Sequence, residues 1–132
     1  MRFIFYRKPD HLAAERLQGI IEEFIPPEKI DLYQSIEGLA QGLRLPTGES
    51  TIAVLVAASH QDLQDILSVR NLLAGFRTIL IVPDSSRETI ARSHRLLPRY
   101  LGFAGDDLAD FAAVLGKTIR VVQKEGNGWR HE

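Results

Sequence analysis

The sequence predicts an α/β domain, a doubly wound five-stranded parallel sheet with helices on both faces. Three observations carry that expectation. Residues 52–58, Ile-Ala-Val-Leu-Val-Ala-Ala, form a continuous apolar run of strand length with no polar face, as in a central strand covered on both sides. Strand-like and helix-like segments alternate five times along the chain. Successive strands begin about 22–28 residues apart, which suits βα units joined by short loops.

The elements follow in order. Phe3, Ile4, Phe5 and Tyr6 are strand formers and mark a first strand over residues 2–7. Pro9 and Asp10 end it and open a helix on which Ala13, Leu17, Ile20, Ile21 and Phe24 recur at helical spacing. Pro26-Pro27 stops that helix. Ile30, Leu32 and Tyr33 make a short, more polar strand suited to a sheet edge. Ser35 caps a second helix with Ile36, Leu39, Ala40 and Leu43 on its buried face. Residues 46–49 are a turn before the central strand.

After that strand, Ser59 and Asp62 resemble a capping box, and Leu63, Ile66, Leu67, Leu73 and Ala74 keep helical register as far as Gly75. Thr78 to Val82 is a fourth, wholly apolar strand ended by Pro83 and Asp84. Ser85 and Glu88 form a second capping box, for a helix carrying Ile90, His94 and Leu97 inward. Tyr100, Leu101 and Phe103 form a fifth strand. Asp106 or Asp107 opens the last helix, with Leu108, Phe111, Ala112, Leu115, Ile119 and Val122 along one side. Gly126-Asn127-Gly128 is expected to break that helix. The domain is thus placed at 1–124, with 125–132 as a short C-terminal tail.

Composition narrows the function classes. The chain has 132 residues, 45% hydrophobic and 25% charged, with a formal net charge of −1. That balance fits one soluble globular domain and gives no basic field for nucleic acid or anionic membrane. The absence of cysteine excludes disulfides, thiol catalysis and thiolate metal sites. No apolar run approaches the length that spans a bilayer, and the N-terminus lacks a signal-peptide pattern. A cytoplasmic protein is expected.

Five βα units with apolar third and fourth strands, Ile79-Leu80-Ile81-Val82 before a polar turn, and Tyr100 in the fifth strand together resemble the receiver domain of two-component response regulators. The resemblance covers residues 2–124 and implies the strand order 2-1-3-4-5. It also implies a phosphorylation site: a pair of acids after strand one for Mg²⁺, an acceptor aspartate ending strand three, a Ser or Thr ending strand four and a Lys ending strand five. This chain departs at each point. It has Arg7 and Lys8 after strand one, Ala57 and Ala58 ending strand three, Pro83 ending strand four, and Phe103-Ala104-Gly105 ending strand five. Alanine accepts no phosphoryl group, and two cations repel Mg²⁺. The chain therefore looks like a pseudo-receiver. The implied role is a non-enzymatic signalling module working by protein contact without aspartyl phosphorylation. No cofactor or metal is expected.

Two candidate sites remain. Loops at the carboxyl ends of strands one, three and four bring together Arg7, Lys8, Asp10, Ser59, His60, Asp84 and Ser85. They read either as a small-molecule or anion site, with cations and helix-start amides as donors, or as helix caps and solvated charges. His60, Asp84 and Asp10 also read as acid–base groups. Arg92, Arg95, Arg99 and Tyr100 read either as a partner surface, for an acidic protein or a homodimer through helix four, strand five and helix five, or as a solvated helix face. His94 is expected to be partly buried. The tail carries His131 and Trp129.

Overall fold

The computed structural model describes residues 1–9, 11–46 and 48–128, the last four by backbone alone. The elements are β1 (Arg2–Tyr6), α1 (Leu12–Phe24), β2 (Ile30–Tyr33), α2 (Ile36–Leu43), β3 (Thr51–Val56), α3 (His60–Ser68), β4 (Arg77–Val82), α4 (Arg87–His94), β5 (Tyr100–Phe103) and α5 (Leu108–Gly128). The five strands form one sheet in the order β2-β1-β3-β4-β5, every pairing parallel. This is the doubly wound, flavodoxin-like arrangement.

The pleat of the sheet sorts side chains into two cores. Phe3 and Phe5 of β1, Ile52, Val54 and Val56 of β3, and Ile79 and Ile81 of β4 face α1 and α5. Ile4 and Tyr6, Ala53, Leu55 and Ala57, and Leu80 and Val82 face α2, α3 and Leu96. Every residue of β3 is buried, because helices cover both of its faces. Each such Leu, Ile or Phe contributes about 1.5–3 kcal/mol relative to an exposed position. The edge strands differ. In β2, Asp31 and Leu32 are exposed, and in β5 only Gly102 is fully buried.

Local chemistry sets most helix starts. Ser35 Oγ accepts from the Gly38 amide, as expected. α1 is instead capped by His11, whose Nδ1 accepts from the Ala14 amide at 3.2 Å, so Ala14, Leu17 and Ile21 are its buried residues. Phe24, expected inside, is 42% exposed.

Three further expectations are corrected. The third helix ends at Ser68 rather than near Gly75; a 3-10 turn, Arg70–Leu73, follows. Ser68 Oγ donates to the Asp65 carbonyl, a back-bond that competes with helix continuation. Gly75 then reverses the chain at φ 87°, and Ala74 is exposed.

α4 is capped by Ser86, whose Oγ accepts from the Thr89 amide at 3.2 Å, not by Ser85 with Glu88. Its inward residues are Thr89 and Ser93, continued by Leu96; His94 is exposed. The apolar register misleads here because Ser93 Oγ donates to the Thr89 carbonyl at 2.7 Å. That bond satisfies the serine internally and lets a small polar residue face the core.

α5 continues to Gly128, through the expected break at 126–128 and into the segment assigned to a tail. Glycine costs a helix about 1 kcal/mol relative to alanine, which disfavours but does not forbid continuation. Trp129 and His131 lie outside the described residues. No helix among the described residues is long and apolar enough to cross a membrane.

Candidate functional site

The parallel sheet places the ends of β1, β3 and β4 at one edge, where doubly wound folds gather their chemistry. At the end of β1, Arg7 is buried. Its Nη1 donates to Gln18 Oε1 at 3.1 Å, and its Nε to the Lys8 carbonyl at 3.2 Å. Its Nη2 lies 4.0 Å from the Glu15 carboxylate. The guanidinium thus lies against α1, and its charge is spent on that helix. Lys8 is half-buried beside it. Asp10 lies outside the described residues.

At the end of β3, Ala57 is buried and its amide donates to the Ile81 carbonyl at 2.8 Å, extending the ladder with β4. The next amide, Ala58, donates to Asp62 Oδ2 at 3.0 Å, while Ser59 Oγ accepts from the Asp62 amide at 3.2 Å. This is a reciprocal cap, displaced by one residue from the usual box. An amide at a strand end and helix start is the kind of donor an anion uses. Here a buried carboxylate from the same chain already occupies it.

His60, the first residue of α3, reaches across to the β4 loop. Its Nε2 lies 2.7 Å from Asp84 Oδ2, with both side chains largely exposed. Asp84 Oδ1 also accepts from the Ser86 amide at 3.0 Å. The hydrogen bond from His60, followed by those from Thr89 and Ser86, holds the Asp84 carboxyl below the ordinary carboxylate range. The pair ties the β3 and β4 loops together. The hydroxyls beside it are structural: Ser59 Oγ and Ser86 Oγ both cap helices, Ser86 Oγ also donates to Thr89 Oγ1 at 3.0 Å, and Ser85 is exposed. Among the described residues no group of three or more His, Cys, Asp or Glu side chains is arranged to hold a metal ion.

One buried polar atom at this edge stands apart. The Tyr6 hydroxyl, fully buried at the end of β1, has no hydrogen-bond partner among the described residues. Burial first, then the nearby charges of Asp62, Asp65 and Glu37, push its phenol up to about 12. No sequence pattern signals this. Tyr6 looks like any strand aromatic until the register turns it inward.

The second candidate surface divides. Arg92 pairs with Glu88 at 3.5 Å, one helical turn back, and Arg95 is the exposed cap residue after α4. Leu97 then takes a left-handed backbone, φ 50°. The amide of exposed Arg99 donates to the Thr78 carbonyl at 2.7 Å, starting β5. Tyr100 does not join these arginines on the α4 face. It packs against the α1–α5 core, whereas Leu96 after α4 packs in the other core. Burial, with Asp110 and Asp106 nearby, raises its phenol above the ordinary value.

Of the first set, then, the fold brings together His60 with Asp84, and leaves Arg7 committed to α1. The chain matches no family model, and a search of curated proteins finds no significant match.

Proposed function

We propose that this domain is a non-enzymatic, receiver-like regulatory module that works by protein contact, without aspartyl phosphorylation. The observation that carries the reading is the end of β3. Two alanines stand where the receiver resemblance calls for an acceptor aspartate, and the Asp62 carboxylate takes the Ala58 amide. A phosphoryl group finds neither an acceptor carboxylate at the strand end nor an open amide donor at Ala58. Arg7, one of the cations in place of the magnesium-binding acids, is held by Gln18 and Lys8.

The alternative, a small-molecule or anion site at the same edge, draws less support. Its leading cation is buried against α1, and of its two serines Ser59 is in use as a helix cap.

The test is chemical. Acetyl phosphate with Mg²⁺ should leave the intact mass unchanged, and a trapped aspartyl phosphate overturns the reading. An amide-NMR titration with Mg²⁺ and beryllofluoride should give a flat response around 57–62 and 83–86. Clustered shifts there favour the ligand reading instead.

A further inference from the structure

We propose that the amino-terminal edge of the sheet, on its β4–β5 side, docks on an anionic lipid surface, with Leu97 entering the headgroup region and Arg95, Arg99 and the end of α5 meeting lipid phosphates. The inference goes beyond the protein-contact reading and does not depend on it. It rests on a segregation of charge that the net charge of −1 conceals, and on one leucine held in water at the cationic end.

In a parallel sheet every strand is entered at one edge and left at the other. On the β4–β5 side those edges carry opposite signs. The carboxyl edge holds Asp84, Asp106, Asp107 and Asp110. The chain entering β4 and β5 contains no acid: residues 66–77 carry Arg70 and Arg77, and residues 89–100 carry Arg92, Arg95 and Arg99.

α5 adds to the cationic end. Its 21 residues run about 31 Å at about 1.5 Å each, against about 13 Å for the four residues of β5. Its second half therefore reaches the amino edge. That half carries exposed Lys117, Arg120 and Lys124, with no acid from 111 to 124. Arg70, Arg95, Arg99 and Lys124 are exposed, and none is in an ion pair among the described residues.

Leu97 stands within this end. It is 84% exposed and holds a left-handed backbone at φ 50°, unfavourable for a leucine in water on both counts. Its neighbours fix it there. Leu96 is buried in the core, the Leu96 and Leu97 amides donate to the Ser93 and His94 carbonyls, and the Arg99 amide donates to the Thr78 carbonyl.

A bilayer interface offers both counterparts, phosphates for the arginines and acyl carbon for the leucine. A nucleic-acid backbone offers the first and not the second. One leucine is too little to hold a protein on lipid, but each cation near an anionic surface adds about fivefold. The acidic edge is repelled in the same field, so the domain stands with the His60–Asp84 loops turned away from the bilayer.

Cosedimentation of the full chain with vesicles of equimolar phosphatidylserine and phosphatidylcholine tests this. Binding is expected, absent from phosphatidylcholine alone and falling as salt is raised. Arg95→Glu together with Arg99→Glu should weaken it at least about tenfold, whereas Arg87→Glu, a charge reversal at the opposite end of α4, should change it by no more than about twofold. Leu97→Asn keeps the charge and suits the left-handed backbone, so the thermal midpoint should hold while vesicle binding weakens about tenfold. No binding to the anionic vesicles, equal binding to phosphatidylcholine alone, an Arg87→Glu effect as large as that of the paired reversal, or vesicle binding indifferent to Leu97→Asn overturns the proposal. So does tighter binding to duplex DNA than to vesicles at the same salt. None of these outcomes bears on phosphorylation, which the intact mass reports separately.

Discussion

Replacing Gly42 by alanine should destabilise the domain, although alanine is the better helix former. Gly42 lies inside α2, where alanine alone gains about 1 kcal/mol. A Cβ there, however, meets the Tyr33 hydroxyl at 2.1 Å and its Cζ at 2.3 Å. The ring cannot yield without cost, because Arg2 Nη2 donates to the Tyr33 hydroxyl at 3.3 Å and to the Gly42 carbonyl at 3.0 Å. Arg2 is held in turn by Asp31. Overpacking of this kind costs about 1–3 kcal/mol, and loosening a hydrogen bond to a charged group adds about 1.5–3 kcal/mol when the bond is fully lost. Set against the helix gain, the net loss is about 0–2 kcal/mol with that hydrogen bond kept and about 1.5–5 kcal/mol with it fully lost. Gly19 of α1 is the control: a Cβ there meets nothing within 4 Å, and Gly19→Ala should stabilise by about 0.5–1 kcal/mol. Urea unfolding of both variants gives the signs directly. Gly42→Ala at or above wild-type stability refutes the steric argument. So does a Gly42→Ala loss that persists undiminished in a Tyr33→Ala background.

Leu55→Ala, at the centre of β3 and fully buried, should cost about 2–5 kcal/mol in urea unfolding. Tyr6→Phe should be neutral or stabilising by up to about 1 kcal/mol, because it removes a buried hydroxyl that has no partner. The Tyr6 phenol, raised to about 12, contributes stability that is full below the ordinary tyrosine value near 10 and lost as pH rises through 12. Alkaline unfolding of Tyr6→Phe should accordingly be shallower in that window than wild type. Asp84 titrates in the opposite sense. Its lowered carboxyl contributes above the ordinary carboxylate value of about 4 and fades as pH falls below it. A carbon-detected NMR titration should place its midpoint under 4, and His60→Gln should move that midpoint up.

Strand identity was legible because five apolar segments alternate with helical ones, and the buried run of β3 allowed only a central position. The errors fell where a side chain bonds to its own backbone. Ser85 and Ser86 are indistinguishable as caps until Asp84 takes the Ser86 amide. Ser93 reads as a surface residue until its hydroxyl is seen satisfied by Thr89. The site was legible only as a set of loops. That His60 finds Asp84, 24 residues away, follows from β3 and β4 lying side by side. That Arg7 turns back onto Gln18 depends on how α1 leaves the sheet, which composition does not encode. Leu97, expected inside with Ile90 and His94, is instead exposed past the end of α4, because the backbone reverses there at φ 50° and residue type does not announce that turn.

β3 gives alternate side chains to two separate cores, Ile52, Val54 and Val56 to one and Ala53, Leu55 and Ala57 to the other. A wall common to two rooms cannot be removed from one of them. Opening the α2–α3 layer exposes the back of the strand that the α1–α5 layer rests on, so neither layer has a melting transition of its own. Hydrogen exchange from the two layers should therefore share one opening free energy, and a cavity cut on one side, as in Leu55→Ala, should lower protection equally on the other.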